Sequence, residues 1–405
     1  MKVILYSHLF ASKKRCFIFI YSDREKGNFM KLFKLFLSLT MTALLVSCSS
    51  TKTSTSASTS TAAVPATVTI TDHADREVEV PTNPKRVAVL GIYPLPSMLT
   101  VYLDSCDSIV AMEPGSMNAA KNGILSQLYP NITNITTDIM DGDDVNIESL
   151  LALKPDVVFY NASDTQDLEK LENAGLTAVA FSATKWKFNC TETFNEWMNL
   201  LDQIYPEHAG NREELIKKYS TDTYNKIQDT VKNVEEKQKV LFLFQYDENA
   251  MITSSSKFFG QWWCDAVGAV NVAQDVPAEK TNAVITMEQV YEWDPDVIVI
   301  TNFTQAKPDD LYNNAIGSDD WSNVSAVKNQ RVYKMPLGTY RTYTPSVDSP
   351  MTLEWLAQAV YPELFKDMDV KADVKDYYQN LFGVTLTDEQ VDLMYTPNTA
   401  ASSMN

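Results

Sequence analysis

NIESLLALKPDVVFYN at residues 146–161 and TMEQVYEWDPDVIVITN at residues 286–302 follow one plan. Asn146 and Thr286 are favoured at a helix N-cap, where a side-chain oxygen accepts an otherwise orphaned backbone N–H. Glu148 and Glu288 come two positions later, at the positive end of each helix dipole. Seven residues after each glutamate stands Pro-Asp, at 155–156 and 295–296. Proline lacks the N–H that would continue a helix and disfavours helical backbone before it, so each short helix ends there. VVFY and VIVI then read as strands buried on both faces. The same helix and strand, repeated 140 positions apart, predict two lobes built alike.

The runs RVAVLG (86–91), LTAVAF (176–181) and KVLFLF (239–244) carry the same buried-strand signature. Helical patterns between them make this an α/β chain with parallel strands. About 340 residues follow the N-terminal region, too many for one ordinary core and natural for two lobes. Glu207 to Lys237 is polar and helix-favouring, with Leu215, Tyr219, Ile227, Val231 and Val234 at helical spacings. One helix of that length would run about 45 Å, more than a crossover needs and suited to a strut between lobes. The alternative is two helices broken near Gly210 or Thr221.

KLFKLFLSLTMTALLVS at 31–47 has the charged start, apolar core and small-residue end of a signal peptide. Its core falls short of the roughly 20 apolar residues of a permanent span. Leu45-Val46-Ser47-Cys48 resembles the lipobox of bacterial lipoproteins, which implies cleavage before Cys48 and acylation of its thiol. The Ser/Thr/Ala tract at 49–66 has almost nothing to bury and reads as a flexible spacer spanning about 23 Å. Residues 1–29 are expected to be a spurious upstream extension, with translation starting at Met30.

The formal net charge of −18 gives a field that repels nucleic acid. Cys106, Cys190 and Cys264 allow at most one disulfide beyond the leader, and spacing does not say which. There is no Gly-x-Ser-x-Gly elbow and no phosphate-cradling glycine loop. His73 and His208, the only histidines past the leader region, are expected away from any cleft, and no enzyme is expected.

TVTITDHADREVEVPTNPKRVAVLG (67–91), GQWWCDAVGAVNVAQD (260–275), WSNVSAVKNQRVYKMP (321–336) and the two repeats resemble, in order, segments of the class III periplasmic binding proteins. These are solute receptors of ferric-siderophore, haem and cobalamin importers. The resemblance covers residues 67–365 and departs at Ala74-Asp75-Arg76, where the family has a glycine before the arginine. It implies two Rossmann-like lobes joined by one long helix, with the ligand between them. The division expected is 67–206 for the first lobe, 207–238 for the connecting helix, 239–365 for the second lobe and 366–405 for a C-terminal helical extension. That extension is expected to pack on the second lobe, its last ten residues frayed.

The resemblance also implies that Glu148 and Glu288 pair with arginines of an ABC permease, itself served by ATPase subunits. Helix capping is the plainer role of both glutamates, and the two roles are compatible. Cleft candidates in the first lobe are Tyr93, Met112, Met117 and the cluster Lys185-Trp186-Lys187-Phe188. Those in the second are Tyr246, Phe258, Trp262, Tyr340, Arg341 and Tyr343, with Trp263 and Phe259 assigned to the core. Gly338, Thr339 and Pro345 mark the Tyr340-Arg341 segment as a loop. Aromatic rings there would stack on a bulky ligand, and Arg341 or Lys185 would meet an anionic group. Zinc and manganese receptors of this fold use several histidines, which are missing here, so no direct metal site is expected. The expectation is a lipid-anchored, extracytoplasmic monomer that captures a ferric siderophore or similar chelate, with a corrinoid or haem as alternatives. A sensory or structural lipoprotein is the other class.

Overall fold

The computed structural model of the protein describes residues 66–142, 144–210, 212–277 and 282–404. The leader, Cys48 and the spacer up to residue 65 lie outside the described residues. Among the described residues no helix is long and apolar enough to cross a membrane.

Two parallel four-stranded sheets carry the fold. The first runs, edge to edge, Ile109–Ala111, Val87–Leu90, Val157–Asn161, Ala178–Phe181. The second runs Val270–Asn271, Lys239–Leu243, Val297–Ile300, Val332–Lys334. Counted within its own lobe, each sheet has the order second, first, third, fourth. The third strand of each is the strand of the repeat, so the echo in sequence is an echo in topology.

Pro-Asp does more than stop a helix. The Asp156 carboxylate accepts the backbone N–H groups of Lys85 and Arg86 at 2.8 and 2.9 Å. Asp296 accepts that of Lys239 at 2.8 Å. Each aspartate therefore ties the start of the third strand to the start of the first. The caps form too. Asn146 Oδ1 accepts the Ser149 N–H at 3.0 Å, and Gln289 Oε1 accepts the Thr286 N–H at 3.0 Å.

The connection between lobes is shorter than the sequence predicts. A short helix Pro206–Ala209 ends at Gly210, whose φ of +53° glycine adopts without strain. The chain then runs helically from Arg212 to Val231, about 30 Å by the usual rise. Lys217–Asp222 in its middle form a π-helical turn, so Thr221 bends the hydrogen-bond ladder without breaking it. Val234 and Lys237 fall in the loop that follows.

Residues 366–405 depart further from expectation. Helices Val370–Phe382 and Asp388–Tyr395 pack on the first lobe, placing Val374, Tyr377, Tyr378 and Met394 in one core with Met98 and Trp197. The reason lies one element earlier. Helix Ser349–Val360 puts Leu353, Leu356 and Val360 in the second-lobe core but Met351 in the first-lobe core, so the chain crosses back. The last residues are not frayed either. They form the turn Thr399–Ser402, which contacts helix Pro114–Asn122.

The opening hairpin accommodates its missing glycine. Asp75 takes φ +60°, which aspartate tolerates, and Asp72 Oδ1 accepts the N–H groups of Ala74 and Arg76 around it. His73 is buried between Phe181 and Trp186, and its Nδ1 accepts the Ser182 N–H at 3.3 Å. Burial lowers its pKa from 6.5 to about 4, with Lys185 adding repulsion. A lowered folded pKa means stability that is complete above pH 6.5 and lost as pH falls toward 4. His73→Asn is therefore expected to remove about 3 kcal/mol of the acid sensitivity in that window. Denaturant titrations at pH 7 and pH 4 measure it, and an unchanged difference between wild type and variant would refute the assignment. Cys106, Cys190 and Cys264 are buried free thiols.

Candidate ligand site between the lobes

Open parallel sheets bind ligands beyond the carboxyl ends of their strands, where strand order reverses. In the first lobe that place follows Leu90. Gly91 has φ +67°, and a Cβ there would stand 2.9 Å from the Asn161 Cβ. Its N–H is held by the carboxylate of Glu113, the residue at the N-cap position of helix Pro114–Asn122, whose side chain turns to Gly91 instead of capping the helix. Glu113 is buried, and burial pushes its pKa up although Gly91 and Tyr93 both donate to it.

The second lobe contributes the loop 336–348. Buried Asp348 accepts the N–H and hydroxyl of Thr339 at 3.0 and 3.1 Å and the Tyr378 hydroxyl at 2.5 Å. A Cβ on Gly338 would meet that carboxylate at 2.2 Å, so only glycine lets the loop close over it. The lobes touch here. Gly338 O accepts the Ile124 N–H at 3.2 Å, and Thr339 O accepts the Ser97 hydroxyl at 3.0 Å.

Arg341 is fully buried at this junction, 0% exposed. Its Nη1 donates to Gly115 O at 3.2 Å and to the Tyr340 hydroxyl at 2.8 Å. Its Nε donates to Ala401 O at 2.7 Å and its Nη2 to Ser403 O at 2.5 Å. The rings of Tyr340 and Phe303 lie 5.1 and 5.2 Å from the guanidinium carbon. Among the described residues no carboxylate is within ion-pairing distance. A buried cation with only neutral partners is costly unless an anion joins it. Beyond Phe303 an aromatic wall continues through Phe244 and Phe258, which meets Phe188 of the first lobe at 5.7 Å.

Of the side chains expected in the cleft, the structure brings Tyr93, Tyr340 and Arg341 together, and Phe188 and Phe258 meet in the aromatic wall. The Tyr93 ring packs against Gly115, the residue whose carbonyl Arg341 uses. The others stand elsewhere. Met112 and Met117 are buried in the first-lobe core. Lys185 pairs with Asp75, and Trp186 packs edge-on against His73, so both serve the opening hairpin. Tyr246 is buried, with its hydroxyl between Asp319 and Trp321. Trp262 lies against Trp263 in the second-lobe core. Tyr343 is in that core too, its hydroxyl accepting the Gly260 N–H and its carbonyl the Trp263 indole N–H, while its ring backs the aromatic wall of Phe244, Phe258 and Phe303. Burying a large ring gains more than leaving it at a rim, and a lone aromatic in sequence does not distinguish the two. Phe303, Glu113, Asn118 and the C-terminal segment were missed. Glu113 and Asn118 flank the small-residue stretch PGSM, a sign of close backbone approach, whereas nothing local marks the others.

Glu148 and Glu288 are exposed, each in the first turn of its helix. Hydrogen bonds from the Thr286 hydroxyl and the backbone lower the Glu288 pKa, so it is charged at neutral pH. Exposed Leu151 and Tyr291 stand three residues after them.

Residues 117–337 match the family model described as periplasmic binding protein. The molybdate-binding protein MolA of Haemophilus influenzae is 29% identical over 77% of this chain and 90% of its own length. Its molybdate-bound structure superposes with a TM-score of 0.64 at 25% identity, covering 79% of this chain and 99% of that one. A periplasmic solute binding protein from Veillonella parvula superposes with a TM-score of 0.72 at 28% identity, covering 82% and 97%. YvrC of Bacillus subtilis, named an uncharacterized ABC transporter substrate-binding lipoprotein, is 24% identical over 73% of this chain and 86% of its own. The chain belongs to the periplasmic binding protein family, in its class III form, and is a substrate-binding protein of the ABC transporter kind.

Proposed function

We propose that the protein captures a small oxyanion of the molybdate type between its lobes and delivers it to an ABC permease. The observation that carries this is Arg341, a guanidinium fully buried at the lobe junction whose hydrogen bonds go to neutral groups, with no ion pair to it among the described residues. Arginine's planar fork matches two oxygens of one anion, and burial strengthens each bond. The similarity to a molybdate-binding protein supports the same class. The overall charge of −18 repels anions, so selectivity has to come from the site and not from the field. A fully buried guanidinium where the lobes touch suits an ion of a few ångströms better than a chelate or macrocycle.

Cys48 is the lipid anchor in this proposal, and residues 49–66 the tether that keeps the receptor near its permease. Glu148 and Glu288 are the permease-docking carboxylates. Calorimetric titration of the mature protein with molybdate, tungstate, sulfate, ferric citrate, haem and cobalamin tests the ligand. Saturable one-to-one binding of molybdate or tungstate is the expected result. Binding of only the ferric chelate, haem or corrinoid would overturn the oxyanion assignment in favour of the iron or corrinoid ligand expected from sequence.

A further inference from the structure

The Nε–H and the adjacent Nη2–H of an arginine form the edge that grips carboxylates and oxyanions with two parallel hydrogen bonds. In this structure two carbonyls from one short segment fill that edge, Ala401 O at 2.7 Å and Ser403 O at 2.5 Å. The other nitrogen is already committed to Gly115 O and the Tyr340 hydroxyl. A second ligand therefore has no paired donors left while the segment stays.

The segment has further attachments to the first lobe. The Asn118 side-chain amide donates to Ala400 O and Ser403 O, both at 2.9 Å. The Asn398 amide donates to Asn122 Oδ1 at 3.0 Å, and the Met404 methyl lies over Gly115. Only Ala401 in the segment is buried. A stretch held by polar bonds with little apolar area opens at low free-energy cost. Its carbonyls are neutral, whereas an anion's oxygens add a charge–charge attraction to the guanidinium that a carbonyl lacks.

We infer that residues 398–404 are a tethered competitor for the ligand: they occupy the anion-gripping edge of Arg341 and are expelled when the anion binds. This rests on Arg341 being the ligand's partner, as proposed above. The exchange swaps two backbone carbonyls for two anion oxygens on the same nitrogens. The freed segment then marks the loaded state on the protein surface.

The test compares the full mature chain, the same chain ended after Pro397, and the full chain carrying Asn118→Ala. When the competent state is a minor one, apparent affinity falls by its fraction. Truncation and Asn118→Ala are each expected to tighten molybdate binding at least ~10-fold. Hydrogen exchange at the Ala400 and Ala401 amides should accelerate when molybdate is added to the full chain. Affinity that is unchanged or weaker on truncation would overturn the competitor and make the segment a wall of the site. Should molybdate bind none of the three proteins, the ligand assignment fails by itself. The segment is then judged without ligand, because Arg341→Ala must speed exchange at Ala400 and Ala401 if Arg341 holds it. Unaltered protection in that variant would overturn the inference.

Discussion

Arg341→Ala is expected to weaken oxyanion binding by about 10²- to 10³-fold without unfolding the protein. Removing one partner of a buried, hydrogen-bonded charge pair costs about 3–5 kcal/mol, and each 1.4 kcal/mol is tenfold in Kd. Without an anion the same residue is a buried cation hydrogen-bonded to neutral groups, with no ion pair among the described residues, which is a liability. Its removal should therefore leave the unloaded melting temperature near wild type, while the stabilisation by added molybdate disappears. Arg341→Lys separates charge from geometry. Lysine keeps the positive charge but presents a point donor instead of a fork, so its affinity should fall between the other two. Calorimetry with the three proteins decides. Wild-type affinity in the alanine variant would remove Arg341 from the site and the oxyanion assignment with it.

How far sequence reached depends on how local each signal was. The sheet strands announced themselves because both faces are buried, giving runs such as VVFY and VIVI that need no partner to be recognised. The Pro-Asp signal was legible as a helix stop, but its second role was not. That Asp156 and Asp296 reach the first strand depends on which strands are neighbours. The connecting helix was foreseen from its periodicity and overextended, since Gly210 and the turn after Val231 end it while the surrounding residues still favour helix. The C-terminal helices showed their apolar faces, Val374, Tyr377, Tyr378 and Leu381 among them. No property of an apolar face names the surface it will cover, and these cover the first lobe. The site divides along the same line. Gly338 and Pro345 marked the Arg341 loop locally, whereas the two carbonyls on its guanidinium arrive from 60 and 62 residues downstream. Tyr343 and Tyr340 sit three apart in one loop, yet one packs inside the second lobe and the other against Arg341.

Reversing charge at both exposed glutamates, Glu148→Arg with Glu288→Arg, is expected to abolish uptake while solute affinity stays at the wild-type value. Both residues are exposed, each sits in a capped first turn that fixes its backbone, and the two occupy corresponding places in lobes of the same topology. A partner that reads both at once registers the receptor in one orientation. Opposite charges at such a contact raise the encounter rate, and like charges there cost several kcal/mol. Single reversals should each lower transport, and the double should lower it far more than their product, because one remaining contact still holds the complex near the membrane. The apolar neighbours Leu151 and Tyr291 would supply the desolvated part of the contact. The double reversal shifts net charge by four units, so Glu207→Arg with Glu235→Arg, both exposed in the connecting region, is the matched control. Transport of molybdate into cells or into vesicles holding the permease is the measurement, with calorimetry on the same proteins. Equal loss in the control would make the effect one of bulk charge. Full transport by the Glu148 and Glu288 double variant would leave both glutamates as first-turn acids at the positive end of their helices and nothing more.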